Sequence, residues 1–61
     1  MMASEDIDVL EAMKVYGGGF VKALAELGFR ADAANLARLK AAWPEYWAEY
    51  TKIAARMEER A

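Results

Sequence analysis

Apolar residues return at helical spacing along nearly the whole chain. Val9, Met13, Tyr16, Phe20, Leu24 and Leu27 follow one another at steps of four, three, four, four and three, which is one face of one α-helix. Ser4 can cap its start, with Glu5, Asp6 and Asp8 in the first turn, where negative charge meets the positive end of the helix. Gly28 offers a stop: glycine readily takes the left-handed position after a helix, and Phe29 can then fold back on Leu24. The spacing therefore predicts a long first helix over about 5–28. A second helix is predicted over 33–42, opened by Asp32 with Asn35 as a capping partner and burying Leu36, Leu39 and Trp43. Pro44 lacks an N–H and fixes its own φ, so it opens a further helix over 44–59 after a bend at Trp43. On a wheel of about 100° per residue, Trp43, Tyr46, Trp47, Tyr50, Ile53, Ala54 and Met57 share an arc of roughly 120°. The stretch 56–61 reads as a solvated helix end. The fold class that follows is all-α, a small three- or four-helix protein forming one helical domain over residues 1–61.

Three consecutive glycines, Gly17, Gly18 and Gly19, interrupt the first predicted helix between two aromatics without breaking its apolar phase. Each costs an exposed helix roughly 1 kcal/mol relative to alanine, so bare backbone must serve a purpose there. A hinge, a close helix–helix approach and a ligand resting on the main chain all remain open. The unbroken phase points to a continuous or slightly kinked helix.

Composition narrows the function classes. The chain has 61 residues, 57% of them hydrophobic and 11% aromatic. A core of that size is marginal without disulfides, metal or association, and the absence of cysteine and histidine removes disulfides and the usual zinc ligands. Association remains, so a homo-oligomeric helical assembly is expected, built through the first helix and an aromatic interface of Trp43, Tyr46, Trp47 and Tyr50. The same aromatic face can equally be core. The chain also lacks glutamine, and Ser4, Thr51 and Asn35 stand alone in their kinds. No nucleophile–base or paired-carboxylate spacing stands out, so no catalytic residues, cofactor or metal site are expected. Eight cations mixed among ten anions give a net charge of −2, unlike the basic face of a nucleic-acid binder. No apolar run approaches the ~20 residues of a membrane span, and the first residues lack the pattern of a signal peptide. The expected place is the cytoplasm.

One constellation suggests a ligand. On a continuous helix Lys14, Gly18 and Lys22 lie at i, i+4 and i+8, so two ammonium groups flank uncovered backbone where a phosphate can rest, with Tyr16 or Phe20 stacking on a base. The plainer reading has solvated lysines and glycines that merely let helices touch. Arg30 and Arg38 flank the turn at Asp32, and an arginine can hold a phosphate through two parallel bonds. Arg38, beside the apolar Leu39, is the better clamp.

The string Lys14-Val15-Tyr16-Gly17-Gly18-Gly19-Phe20-Val21-Lys22-Ala23-Leu24-Ala25, followed by Ala31-Asp32, Asn35, Trp43-Pro44-Glu45-Tyr46-Trp47 and Tyr50, resembles short accessory proteins of tailed phages and prophages. The likeness spans about residues 13–50. Gly19 stands where serine is expected, and Ala33 where proline often follows the aspartate. The resemblance implies a phage product made in the host cytoplasm and acting by binding. The expected function is non-enzymatic immune evasion, in which a homo-oligomer sequesters a small anionic, cyclic nucleotide at a subunit interface. Lys14, Tyr16, Gly17, Gly18, Gly19, Phe20, Lys22 and Arg38 are its candidate ligand residues. Inhibition of a host defence protein, or a structural or assembly role, are the alternatives.

Overall fold

The computed structural model describes residues 4–60, with side chains over 4–57. Among these residues the structure is all-helical, with four helices in the order α1 (Ser4–Tyr16), α2 (Gly19–Arg30), α3 (Ala33–Ala42) and α4 (Pro44–Arg60). The predicted helix over 5–28 is thus two helices. As one rod it would extend about 36 Å at 1.5 Å per residue, whereas the longest dimension of the molecule is 31 Å. Folding back at the glycines lets α1 pack on α2 as well as on α4.

The break is narrow. The Gly17 N–H still donates to the Met13 carbonyl at 2.9 Å, completing the ladder of α1. Gly18 is then extended (φ −77°, ψ −172°) and caps α2 without a side-chain bond, and its carbonyl accepts from Lys22 N–H at 2.9 Å. None of the glycines has a positive φ. What Gly17 supplies is room: a Cβ there would lie 2.5 Å from the Met13 carbonyl oxygen and 2.6 Å from Val21 Cγ1. Around Gly18 and Gly19 a Cβ would meet nothing within 4 Å.

Gly28 is not the helix stop that the sequence suggests. It lies inside α2, buried against α1, where a Cβ would sit 2.5 Å from Leu10 Cδ2. The helix continues to Arg30 and ends at Ala31, whose extended backbone (φ −76°, ψ 142°) stops the ladder; its N–H donates to the Gly28 carbonyl at 3.2 Å. Tertiary proximity to Leu10, not local turn chemistry, accounts for this glycine.

The later boundaries follow the sequence. Asp32 Oδ1 accepts the Asn35 backbone N–H at 2.8 Å, the bond of an N-cap to the third residue of its helix. Trp43 leaves helical geometry (φ −130°, ψ 63°) and Pro44 begins α4. The expectation for the chain end meets an exposed Arg56 and a half-buried Met57, and residues 58–61 lie outside the described side chains.

Val9, Leu10, Ala12 and Met13 of α1, Val21 and Ala25 of α2, and Tyr50 and Ala54 of α4 form the core, with Tyr46, Trp47, Ile53 and Met57 packed against it. Leu10 and Met13 are fully buried; each side chain stabilises the fold by about 1.5–3 kcal/mol relative to exposure. In α2 the buried set is Val21, Leu24, Ala25 and Gly28. Tyr16, Phe20 and Leu27, predicted for one inward face, are instead 55%, 57% and 58% exposed. Refolding the chain at Gly17–Gly18 resets the helical phase, so the apolar spacing read across the glycines does not map onto one surface. α3 touches α2 and α4 only lightly. It buries Leu36 and Leu39, and Lys40 ties it to α1 through an ion pair with Asp6 at 3.0 Å.

Candidate functional site

The helix break disperses the residues expected around the glycines. Lys14 belongs to α1 and its Nζ lies 5.9 Å from the centroid of the Phe29 ring, beside the C-terminal end of α2. Glu11, Glu26 and Arg30 line the same depression. Lys22 is exposed on α2, one turn after the glycines. The two ammonium groups therefore do not flank Gly18 along a common helix, and the i, i+4, i+8 spacing loses its meaning. Tyr16 lines a separate depression with Ile53, Arg56 and Met57.

Phe20 and Arg38 are drawn toward a different place. The Phe20 ring meets Trp43 edge-on, with centroids 5.8 Å apart, and lies tilted 6.1 Å from Tyr46. Trp43 in turn lines an open groove of about 360 Å³ between α2 and α3, together with Leu27, Leu39, Arg30, Arg38 and Asn35. The two-residue connection closed by the Asp32 cap places Arg30 at the end of α2 and Arg38 on α3 around one cavity. Among the described residues no carboxylate lines it. Among the described residues the only ion pair is Lys40–Asp6, so neither guanidinium is bridged to a described acid, although Arg30 also borders the depression lined by Glu11 and Glu26.

Of the aromatic face of α4, Tyr50 lies in the core of its own chain at 7% exposure, and Tyr46 and Trp47 are half-buried over that core. Lys40 sits 5.4 Å from the Trp47 ring centroid, adding a cation–π contact to its bridge with Asp6. Burial raises the Tyr50 hydroxyl above its ordinary value near 10, helped by the charges of Glu49 and Tyr46. Trp43 is the member of this set that reaches the groove.

The groove joins residues that the sequence treats separately. Arg30 is legible as a candidate clamp, but Leu27 reads as core and Asn35 as capping partner only. The signal that could have united them is the Asp32 cap itself, since a two-residue connection holds the end of α2 and the start of α3 together. Chemically the groove offers two planar cations, a primary amide and an indole over an apolar floor, without a general acid, base or nucleophile. Among the described residues no three His, Cys, Asp or Glu side chains gather into a metal-binding group, and no helix is long and apolar enough to cross a membrane. Compared with known proteins, the chain matches no family model, no curated protein and no solved structure.

Proposed function

We propose that this chain is a non-enzymatic binding protein whose α2–α3 groove takes a small anion with an aromatic body, of the nucleotide class. The observation that carries the reading is the pair Arg30 and Arg38 beside Trp43 in one cavity that no carboxylate lines. A guanidinium binds phosphate through two parallel, charge-assisted bonds, and an indole face accepts a stacked base at about 1–3 kcal/mol per base. The volume, about 360 Å³, falls in the lower part of the range for small-molecule sites. With no reactive group in the lining, bound ligand is held and not turned over. In the setting that the sequence resemblance implies, a phage accessory product, this amounts to sequestration of a nucleotide signal in the host cytoplasm.

Relative to the sequence expectation, the proposed site moves from the glycine backbone to the groove, because Lys14 lies at the far end of α2. Titration calorimetry with linear and cyclic nucleotides tests it. Arg38→Glu is expected to weaken binding by roughly ten- to a hundredfold, the value of a charge-assisted hydrogen bond, while Gly18→Leu leaves it unchanged. Undiminished binding by Arg38→Glu, or no binding by the wild type, would sink the proposal. A second reading, docking of a host protein, is supported by the exposed Val15 and Tyr16, at 58% and 55%. It predicts a surface that takes a protein and no nucleotide.

A further inference from the structure

The turn between α1 and α2 lies close to a helix already. The ladder of α1 runs to the Gly17 N–H, and Lys22 N–H resumes it by donating to the Gly18 carbonyl. At Gly18 φ is −77°, near the helical value of about −63°, and it is ψ, at −172° against about −42°, that departs from the helix. Packing does not hold this residue in place, since a Cβ on it would meet nothing within 4 Å.

The buried residues of the two helices carry a matching signal. Leu10, Met13, Gly17, Val21, Leu24 and Gly28 are all buried and follow at steps of three, four, four, three and four. Were the chain helical through the glycines, the six would share an arc of about 80° on a wheel of 100° per residue. A hairpin does not require this, because its turn can set the buried faces of its two arms at any angle along the chain. A straight helix packed on an antiparallel copy of itself does require it, because both ends must present their buried residues on one side. In the hairpin Gly28 lies against Leu10 and Gly17 against Val21, and both pairs are centred on position 19. Two straight helices laid antiparallel about a two-fold axis at that position therefore remake the Leu10–Gly28 contact between chains.

We infer that a second copy of this chain exchanges α1 with the first: residues 4–30 straighten into one helix, and the α1 part of each chain packs on α2 and α4 of the other. Such an exchange is a low-cost route to a dimer, since the contacts that α1 makes with α2 and α4 of its own chain are made again with the partner. Straightening also gives helical acceptors to the N–H groups at the start of α2. The cost of holding Gly17 and Gly18 in a helix opposes it, so the monomer predominates in dilute solution and the dimer grows with concentration. No residue of α1 lines the α2–α3 groove, so the inference stands apart from the ligand reading.

Sedimentation analysis over a concentration series tests the exchange with wild type, Gly18→Ala and Gly18→Pro, each checked for helicity. Position 18 would lie about 100° round the straight helix from the centre of the seam, so a methyl there disturbs neither state. Alanine favours the helix in both chains, and Gly18→Ala is expected to lower the dimer dissociation constant roughly tenfold or more. Proline fits the φ of the hairpin but breaks a helix interior, so Gly18→Pro stays monomeric. The chain has no cysteine, so Glu11→Cys and Glu26→Cys can carry spin labels, and dilution of the labelled protein into unlabelled chain reports the distance within one chain. The two positions border one depression in the hairpin, whereas in the exchanged dimer they stand about 22 Å apart along one helix. A Gly18→Ala chain that remains monomeric overturns the inference, as does a dimer that keeps the short distance or a Gly18→Pro chain that dimerises as strongly as Gly18→Ala.

Discussion

Gly28→Ala and Gly19→Ala are the same chemical change in the same helix, and the structure assigns them opposite signs. Alanine is better than glycine in a helix by about 1 kcal/mol, which alone would stabilise both variants. At Gly19 nothing lies within 4 Å of the new methyl, so the gain stands, reduced because the residue is the first of α2. At Gly28 the methyl would lie 2.5 Å from Leu10 Cδ2, 3.2 Å from Cδ1 and 3.4 Å from Cγ. Leu10 is a flexible side chain, yet it is 0% exposed, so moving its Cδ2 aside disturbs the close-packed core around it. Overpacking of this kind costs about 1–3 kcal/mol, which outweighs the propensity gain and leaves Gly28→Ala less stable by about 1 kcal/mol. For a domain this small that lowers Tm by about 4–8 °C, while Gly19→Ala raises it by a few degrees. Thermal unfolding followed by circular dichroism reads both. The contact can also be isolated with a double-mutant cycle: after Leu10→Ala has opened a cavity, Gly28→Ala should turn from destabilising to stabilising. If Gly28→Ala raises Tm in the wild type as much as Gly19→Ala does, α1 and α2 do not approach as closely as described and the explanation of this glycine is wrong.

Gly17→Ala should destabilise by about 1–3 kcal/mol, because its methyl collides with the Met13 carbonyl and the buried Val21, whereas Gly18→Ser, which adds the missing side-chain cap of α2, should stabilise by a few tenths of a kcal/mol; equal melting points for the two would refute the division of roles within the glycine run. Lys40→Met removes both the bridge to Asp6 and the contact over Trp47, and is expected to cost about 1 kcal/mol and to speed hydrogen exchange in α3 selectively. Uniform exchange rates across α3 before and after the change would count against that tether. Tyr50 gives a pH dependence: its folded value is raised by burial, so its contribution is fully present below about pH 10 and is lost as pH rises through the folded value, the unfolded chain releasing the proton first. Tyr50→Phe should flatten the alkaline fall in Tm, and an unchanged slope would place the cause elsewhere.

The glycine run illustrates how one motif can hold separate requirements. Only Gly17 is demanded by the packing of its own chain, through the turn that lets Val21 and Met13 enter one core. Gly18 and Gly19 are open to larger residues as far as this chain is concerned.

Local chemistry determined much of this protein from the sequence alone. The Asp32 cap, the bend at Trp43 and the start of α4 at Pro44 depend on a few neighbouring atoms, a carboxylate accepting a nearby N–H and a ring that cannot donate one, and each is found where the sequence places it. The inward positions of Val9, Met13, Leu36 and Leu39 were legible for a similar reason, since periodicity within one uninterrupted helix is a local property, whereas Tyr50, expected at an interface between copies, lies in the core of its own chain. Across Gly17 and Gly18 that property fails. Periodicity carries no record of a two-residue reversal, so only the tertiary structure decided that Tyr16, Phe20 and Leu27 face outward, that Lys14 reaches Phe29 instead of a glycine surface, and that Gly28 admits Leu10 instead of ending a helix. The groove was decided in the same way. Arg30 ends α2, whereas Arg38 lies on α3 and Trp43 caps that helix, so the shared cavity depends on how α2 and α3 pack, which no spacing along the chain encodes.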